Sequence, residues 1–180
     1  MMALASTPNQ KNLRTVTSWL ATPATDPRVA EFYGIWQQLR GDRRFPSRED
    51  LRPERISRFL PGVVLLKVLR DPLDFEYRIL GGDVVERVGM LRGKRVSEGP
   101  LVRANSAAYR NYCEVVEAGR PQFHDGLALS AYGTDPMMVS RVHCPLASNG
   151  RTIDFIISYI TFQRLPAREW CSAGHKRWID

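Results

Sequence analysis

Residues 74–96 read DFEYRILGGDVVERVGMLRGKRV. The opening residues alternate. Phe75, Tyr77 and Ile79 are apolar, and Glu76 and Arg78 between them are charged, which is the period-two pattern of a strand with one buried face. Gly81-Gly82 ends the strand. A short helical run follows, with Val84, Val85 and Val88 on one side and Asp83, Glu86 and Arg87 on the other. Gly89 closes it, at a cap position that favours glycine. Gly93-Lys94 opens a second turn. One strand therefore leads into short helical pieces joined by glycines, a design that wraps chain over a sheet and leaves a small cavity beneath.

Upstream, Asp26-Pro27 is a helix start: an N-cap residue followed by proline at the first helical position. The spacing predicts a helix to about Arg40, stopped by Gly41, with Val29, Phe32, Tyr33, Trp36 and Leu39 as its apolar stripe. That stripe either covers the outer face of the sheet or pairs with a partner, and its five residues are the candidate interaction surface. Ser47 to Asp50 matches a capping box without the apolar run that normally follows. Arg52 to Phe59 reads as one or two helical turns with Ile56 and Phe59 inward. Pro61 then introduces a strand, Val63 to Leu69, apolar on both faces apart from Lys67 and therefore central. Asp71-Pro72 turns it into the strand from Asp74 to Leu80.

Downstream, a helix is expected from Leu101 to Ala118, with Val102, Tyr109, Tyr112, Cys113 and Val116 on one face and Gly119 as its cap. Three strands follow, Gln122 to Leu129, Met137 to Leu146 and Ile153 to Phe162. Tyr132 to Pro136 and Ser148 to Arg151 connect them, and Asn149-Gly150 is a hairpin signal. The last strand is also apolar on both faces. If the first and last strands pair, all neighbours are antiparallel. The fold class is α+β: a five-stranded antiparallel sheet with short helices and one longer helix on one face, plus an N-terminal amphipathic helix. The expected divisions are a mobile arm over residues 1–25, a helical extension over 26–59, the core over 60–163 and a tail over 164–180.

Leu60-Pro61, the apolar strand after it, "DFEYRILGG", "VG" and "LRGK" resemble a bacterial family of small stand-alone PAS-type sensor domains. The helix carrying Trp36 and the segment "RFPSREDLRPERI" are similar to that family's leading segment, so the resemblance runs from Val29 to Phe162. The family's strand exit reads Gly-Thr where this chain has Gly81-Gly82, which removes a hydroxyl near the first helical turn. The resemblance implies a PAS-like fold and a sensory or regulatory role, and names no ligand.

The 180 residues suit one domain with ragged ends. Such a chain buries roughly two-thirds of its unfolded surface, enough to fold without metal or disulfides. Cys113, Cys144 and Cys171 are odd in number and form no CxxC pair, which argues against a disulfide framework or a zinc site. No signal peptide is evident, and no apolar run approaches the roughly 18 residues of a membrane span. The expectation is a cytoplasmic protein without membrane contact. The net charge of +7 comes largely from arginine. Only Arg40 to Arg58 is dense, and Asp42, Glu49, Asp50 and Glu54 interleave with it, as on an ion-paired solvated face. This argues against nucleic acid as the partner.

The three histidines are His124, His143 and His175. Sequence neighbours on a strand point to opposite faces, so His124-Asp125 is no catalytic pair. Two histidines without a third ligand make a poor metal site. Ser130 and Ser140 lie in no nucleophile elbow, and no phosphate-cradling glycine loop is present. No catalytic, cofactor-binding or metal-ligating residue is assigned. Cys113 stands in Asn-Tyr-Cys-Glu-Val, unlike the photosensory flavin signature, and its helix lacks the histidine that would hold haem. Neither flavin nor haem is therefore expected.

The remaining candidate is a ligand pocket between helix and sheet. Tyr109, Tyr112 and Cys113 offer aromatic and thiol walls, and Arg141 and His143 share one strand face. The set suits a small organic anion or a partly apolar ligand, but tyrosine packing needs no ligand to account for it, and core filling without a ligand is the preferred reading of these five residues. For the chain as a whole the preferred reading is a sensory module, not an enzyme, that acts through a protein partner or a second copy of itself, with a small organic ligand as an optional switch. The alternative is a small cone-shaped isomerase or hydratase using His143. A nucleic-acid binder through Arg40 to Arg58 is the third reading.

Overall fold

The computed structural model describes residues 26–99, 106–129 and 136–164. The expected arm, the tail beyond Arg164, the start of the helix predicted from Leu101 and the Tyr132 turn lie outside the described residues.

Five strands form one sheet: β1 (Val63–Leu69), β2 (Asp74–Leu80), β3 (Gln122–Leu129), β4 (Pro136–Leu146) and β5 (Phe155–Arg164). Their order is β2-β1-β5-β4-β3, and every neighbouring pair is antiparallel. The two strands that are apolar on both faces, β1 and β5, pair from Val63↔Tyr159 to Lys67↔Phe155. β5 begins two residues later than the pattern predicts because Asp154 closes the preceding turn. Its carboxylate accepts from the Ser148 backbone N–H at 3.2 Å, and its own N–H donates to the Leu146 carbonyl at 3.1 Å.

Among the described residues four α-helices accompany the sheet: α1 (Pro27–Arg40), α2 (Pro53–Ile56), α3 (Gly82–Val88) and α4 (Ala107–Ala118). A 3₁₀ helix over Ser57–Gly62 joins α2 to β1. The Asp26 side chain accepts from the Arg28 backbone N–H at 2.9 Å, and Gly41 with φ 55° ends α1. The structure decides where the α1 stripe goes. Val29, Phe32, Trp36 and Leu39 are buried on the chain's own sheet. Phe32 stacks on Tyr159 at 5.2 Å, Tyr33 meets Phe123 edge-on at 5.1 Å, and Trp36 Nε1 donates to the Pro145 carbonyl at 3.0 Å. Of the five residues expected as an interaction surface, only Tyr33 stays half-buried.

Two expectations need correction. Ile79 is 44 % exposed and does not share the buried face of Phe75 and Tyr77. The β1–β2 register slips between Leu65 and Leu66, so Arg78 is an extra residue and Ile79 passes to the opposite face. The long helix begins at Ala107, since Ser106 is extended (φ −66°, ψ 159°) and its hydroxyl accepts from the Tyr109 N–H.

The arginines between Arg40 and Arg58 lie over the chain's own rings and acids. Arg40 stacks on Trp36, Arg44 on Phe45, Arg48 on Phe155 and Arg58 on Phe59. Arg43 pairs with Asp50 and Arg58 with Glu31. Ser47 and Asp50 do form a reciprocal capping box, around a single 3₁₀ turn.

Gly81 and Gly82 have opposite needs. A Cβ on Gly81 would collide with the Leu60 and Pro61 carbonyls, because the 3₁₀ helix passes directly over the start of α3. A Cβ on Gly82 would meet nothing within 4 Å. Position 82 is therefore sterically open. Gly81→Ala is expected to lower stability by about 1–3 kcal/mol through overpacking. Gly82→Ala, at the first helical position, should be neutral or slightly stabilising. Urea unfolding of the two variants checks this, and equal midpoints would contradict the asymmetry.

Candidate functional site

Strand alternation gives β4 and β5 two chemically distinct faces. Val142, Cys144 and Tyr159 point toward α1, beside the rings already described. Arg141, His143 and Ser158 point the other way, toward α4. Register adds β3 to this inner face: Gln122 lies opposite His143, His124 opposite Arg141, and His143 opposite Ser158. Tyr112 of α4 closes over the group, with its ring 4.9 Å from His143.

The cluster is polar and buried. Gln122, His124, His143 and Ser158 are all at most 3 % exposed. His143 Nδ1 lies 2.7 Å from Ser158 Oγ. His124 Nε2 lies 3.1 Å from Gln122 Oε1, and the Gln122 amide donates to Glu114 at 3.3 Å. The two imidazoles are 5.4 Å apart. Two buried atoms in this group lack a hydrogen-bond partner among the described residues: His124 Nδ1 and Arg141 Nε. Arg141 forms no ion pair there either.

Burial governs the protonation states. Desolvation first, then the Arg141 charge, lowers His124 to about 4, with Asp125 opposing. Desolvation, His124 and Arg141 together hold His143 well below its ordinary value. Both rings are neutral at pH 7. Burial likewise raises the Tyr112 phenol and the Cys113 thiol, so neither ionises readily. The Ser158–His143 contact has the spacing of a nucleophile and its base, but Ser158 is 0 % exposed and His143's partner is Ser158 itself. No carboxylate orients the ring in the described residues, and the pair reads as a buried hydrogen bond.

Of the five expected pocket residues, Tyr112, Arg141 and His143 come together. Tyr109 sits toward β2, where its ring meets Phe75 and its hydroxyl donates to the Leu73 carbonyl at 2.6 Å. Cys113 is half-buried beside Tyr109. Sequence reasoning left out His124, Gln122, Glu114 and Ser158. Cross-strand register brings in the first two and Ser158, and it cannot be counted without knowing the length of the β3–β4 turn.

A separate concavity of about 220 Å³ opens on the outer face, lined by Leu51, Pro53, Ile56, Leu60, Leu65 and Ile79 among others, with Arg48 at its rim. Its walls are apolar and it holds no titratable group besides Arg48, so the convergent polar chemistry lies on the inner face and not in this cleft. Among the described residues no three metal-binding side chains cluster, and no helix is long and apolar enough to cross a membrane.

A family model described as a PAS domain matches residues 24–158, from just before α1 to Ser158 in β5. Comparison with curated proteins finds no match.

The buried neutral histidines set a pH dependence of stability. Unfolded histidine titrates near 6.5, and both folded values are lower. The contribution is therefore complete above pH 6.5 and is lost as pH falls, down to about 4 for His124 and further for His143. Each proton gives a slope of about 1.4 kcal/mol per pH unit. Urea unfolding at pH 7, 6 and 5 should show falling stability, and His124→Gln should remove one proton's share of the slope. Parallel curves for the two proteins would refute the assignment.

Proposed function

Because the chain belongs to the PAS domain family and is thus a sensory or regulatory module, we propose that a small organic ligand is sensed at the inner-face cluster. The signal leaves as a change in how α1 packs on the outer face, read by a protein partner or a second copy. One observation carries this reading. The polar cluster and α1 lie on opposite faces of the same two strands, β4 and β5, with alternate residues serving each. Ligand contact at Arg141 or His143 acts on backbone that also presents Val142, Cys144 and Tyr159 to α1. The Trp36 bond to the Pro145 carbonyl ties the helix to that strand. The mechanism is a population shift, limited in size by the ligand's differential affinity for the two packings.

Haem and flavin have no part in this reading. α4 carries no histidine, and the Cys113 thiol is held protonated by burial. The cone-shaped enzyme reading requires an accessible acid–base pair. The two histidines among the described residues are buried, and one of them is hydrogen-bonded to a fully buried serine.

Native mass spectrometry of the purified chain should reveal a co-purifying small molecule. Hydrogen exchange should then show altered protection over Pro27–Arg40 when that molecule is stripped and restored. A ligand-free spectrum together with α1 exchange indifferent to Arg141→Met would overturn the proposal.

A further inference from the structure

The hydrogen-bond chain that ends on His124 identifies what its site lacks. Glu114 can only accept, so the Gln122 amide nitrogen faces it at 3.3 Å. Gln122 Oε1 therefore faces His124 Nε2 at 3.1 Å, and that nitrogen carries the proton. The neutral ring is left with a bare lone pair on Nδ1, which is buried and unpartnered among the described residues. Directly across the strand pair stands Arg141, whose buried Nε–H is also unpartnered among the described residues and whose guanidinium forms no ion pair there, Asp125 acting on it only through longer-range charge. The site thus holds a cation without an ion-pair partner beside an acceptor without a donor, among the described residues.

We infer that the ligand is a small carboxylic acid, bound as its carboxylate to Arg141 with one proton taken from solvent onto His124 Nδ1. This rests on the sensory reading above and names its ligand class. A carboxylate oxygen satisfies the Arg141 Nε–H. Its other oxygen would face the Nδ1 lone pair and be repelled unless that nitrogen is protonated. With the proton in place, both ring nitrogens donate, Nε2 to Gln122 and Nδ1 to the ligand. No covalent bond forms. The carboxylate brings one negative charge and the proton taken up brings one positive charge, so the site keeps the single positive charge it had with Arg141 alone.

The other groups around the ring fit this state. Asp125 favours the imidazolium, and the Gln122 oxygen held by the Gln122–Glu114 bond accepts from Nε2 in either charge state. His143 is already engaged with Ser158 and stays neutral, and Tyr112 stays a phenol. The Tyr112 and Phe75 rings, 5.5 Å apart, make the surroundings of the pair apolar on that side.

Titration calorimetry of the intact chain tests the inference with benzoate, phenylacetate and 4-methylpentanoate, and with the amide of each. Measurements in phosphate and in Tris at pH 7.5 count protons from the difference in buffer ionisation enthalpy. The expected result is binding of at least one acid with uptake close to one proton, and at least tenfold weaker binding of its amide. Arg141→Met should weaken the acid tenfold or more. His124→Gln should bring proton uptake to zero, with the fold of both variants checked by circular dichroism. Equal binding of acid and amide, or acid binding unaffected by Arg141→Met, overturns the carboxylate assignment and leaves the sensory reading standing. Acid binding without proton uptake overturns the role of His124. If no acid binds, the inference fails. A different molecule in the native mass spectrum would then preserve the sensory reading, and an empty spectrum with unresponsive α1 would end both.

Discussion

The antiparallel ladder between β1 and β5 is what the molecule depends on. It joins a hairpin at one end of the described chain to a three-stranded unit at the other, and both layers of the core are built on it. Val63, Val64, Leu65, Leu66, Ile156 and Ile157 are each at most 3 % exposed, so up to the exposed Lys67 both faces of the ladder are buried. Burying a side chain of this kind contributes about 1.5–3 kcal/mol. Lengthening the closing loop is far less costly, at about 0.6 kcal/mol per doubling. The intervening segment can therefore hold α3, α4 and their connections without undoing the pairing. Even numbers on β1 (Val64, Leu66) and β5 (Ile156, Ser158) feed the α4 side, and odd numbers (Val63, Leu65, Ile157, Tyr159) feed the α1 side.

The two faces part company toward β4 and β3. On the α1 side the core stays apolar and aromatic, from Phe59 and Phe32 through Tyr159 to Phe123. On the α4 side it turns from Phe75 and Leu66 to Ser158, His143, Arg141, His124 and Gln122. Leaving a buried polar group unpaired costs about 1–3 kcal/mol, so a stretch this polar is not what stability alone would select. The strands carrying it are backed by a helix whose own apolar stripe is fully engaged. That combination, a costly polar layer against a well-packed one on shared backbone, is the physical basis for reading one face as input and the other as output.

Much of this architecture was legible in the sequence, and the failures have specific causes. Strands β1 and β2 were bounded correctly because Pro61, Asp71-Pro72 and Gly81 punctuate them, and α1 because Asp26-Pro27 and Gly41 do the same. Ile79 was misplaced because a bulge is invisible to a period-two count: one extra residue at Arg78 inverts the face of everything after it. The start of α4 was missed because Ser106 is a cap whose signal is weaker than the run of apolar residues upstream of it. The interleaved charges of Arg40 to Arg58 did announce ion pairs, but not that four of those guanidinia would lie on rings of the protein's own core. Of the site, Arg141 and His143 were found by alternation along one strand. His124 and Gln122 belong to the next strand, and only the register of the β3–β4 pair brings them in.

The unpaired polar atoms need discrimination before they can be given a meaning. Four are buried without partners among the described residues: Arg40 Nε, Arg87 Nε, His124 Nδ1 and Arg141 Nε. Arg40 and Arg87 each lie over a ring, Trp36 and Phe162, where the cation–π attraction offsets part of the lost hydration. They sit on different elements and do not face each other. The other two belong to a single cross-strand pair, on the face lined by three further buried polar side chains, and the described structure places no ring over Arg141. One unpaired atom is explicable as packing compromise. A donor and an acceptor without partners on cross-strand neighbours, with the acceptor's tautomer fixed by a chain ending at Glu114, are what a carboxylate together with one added proton would satisfy.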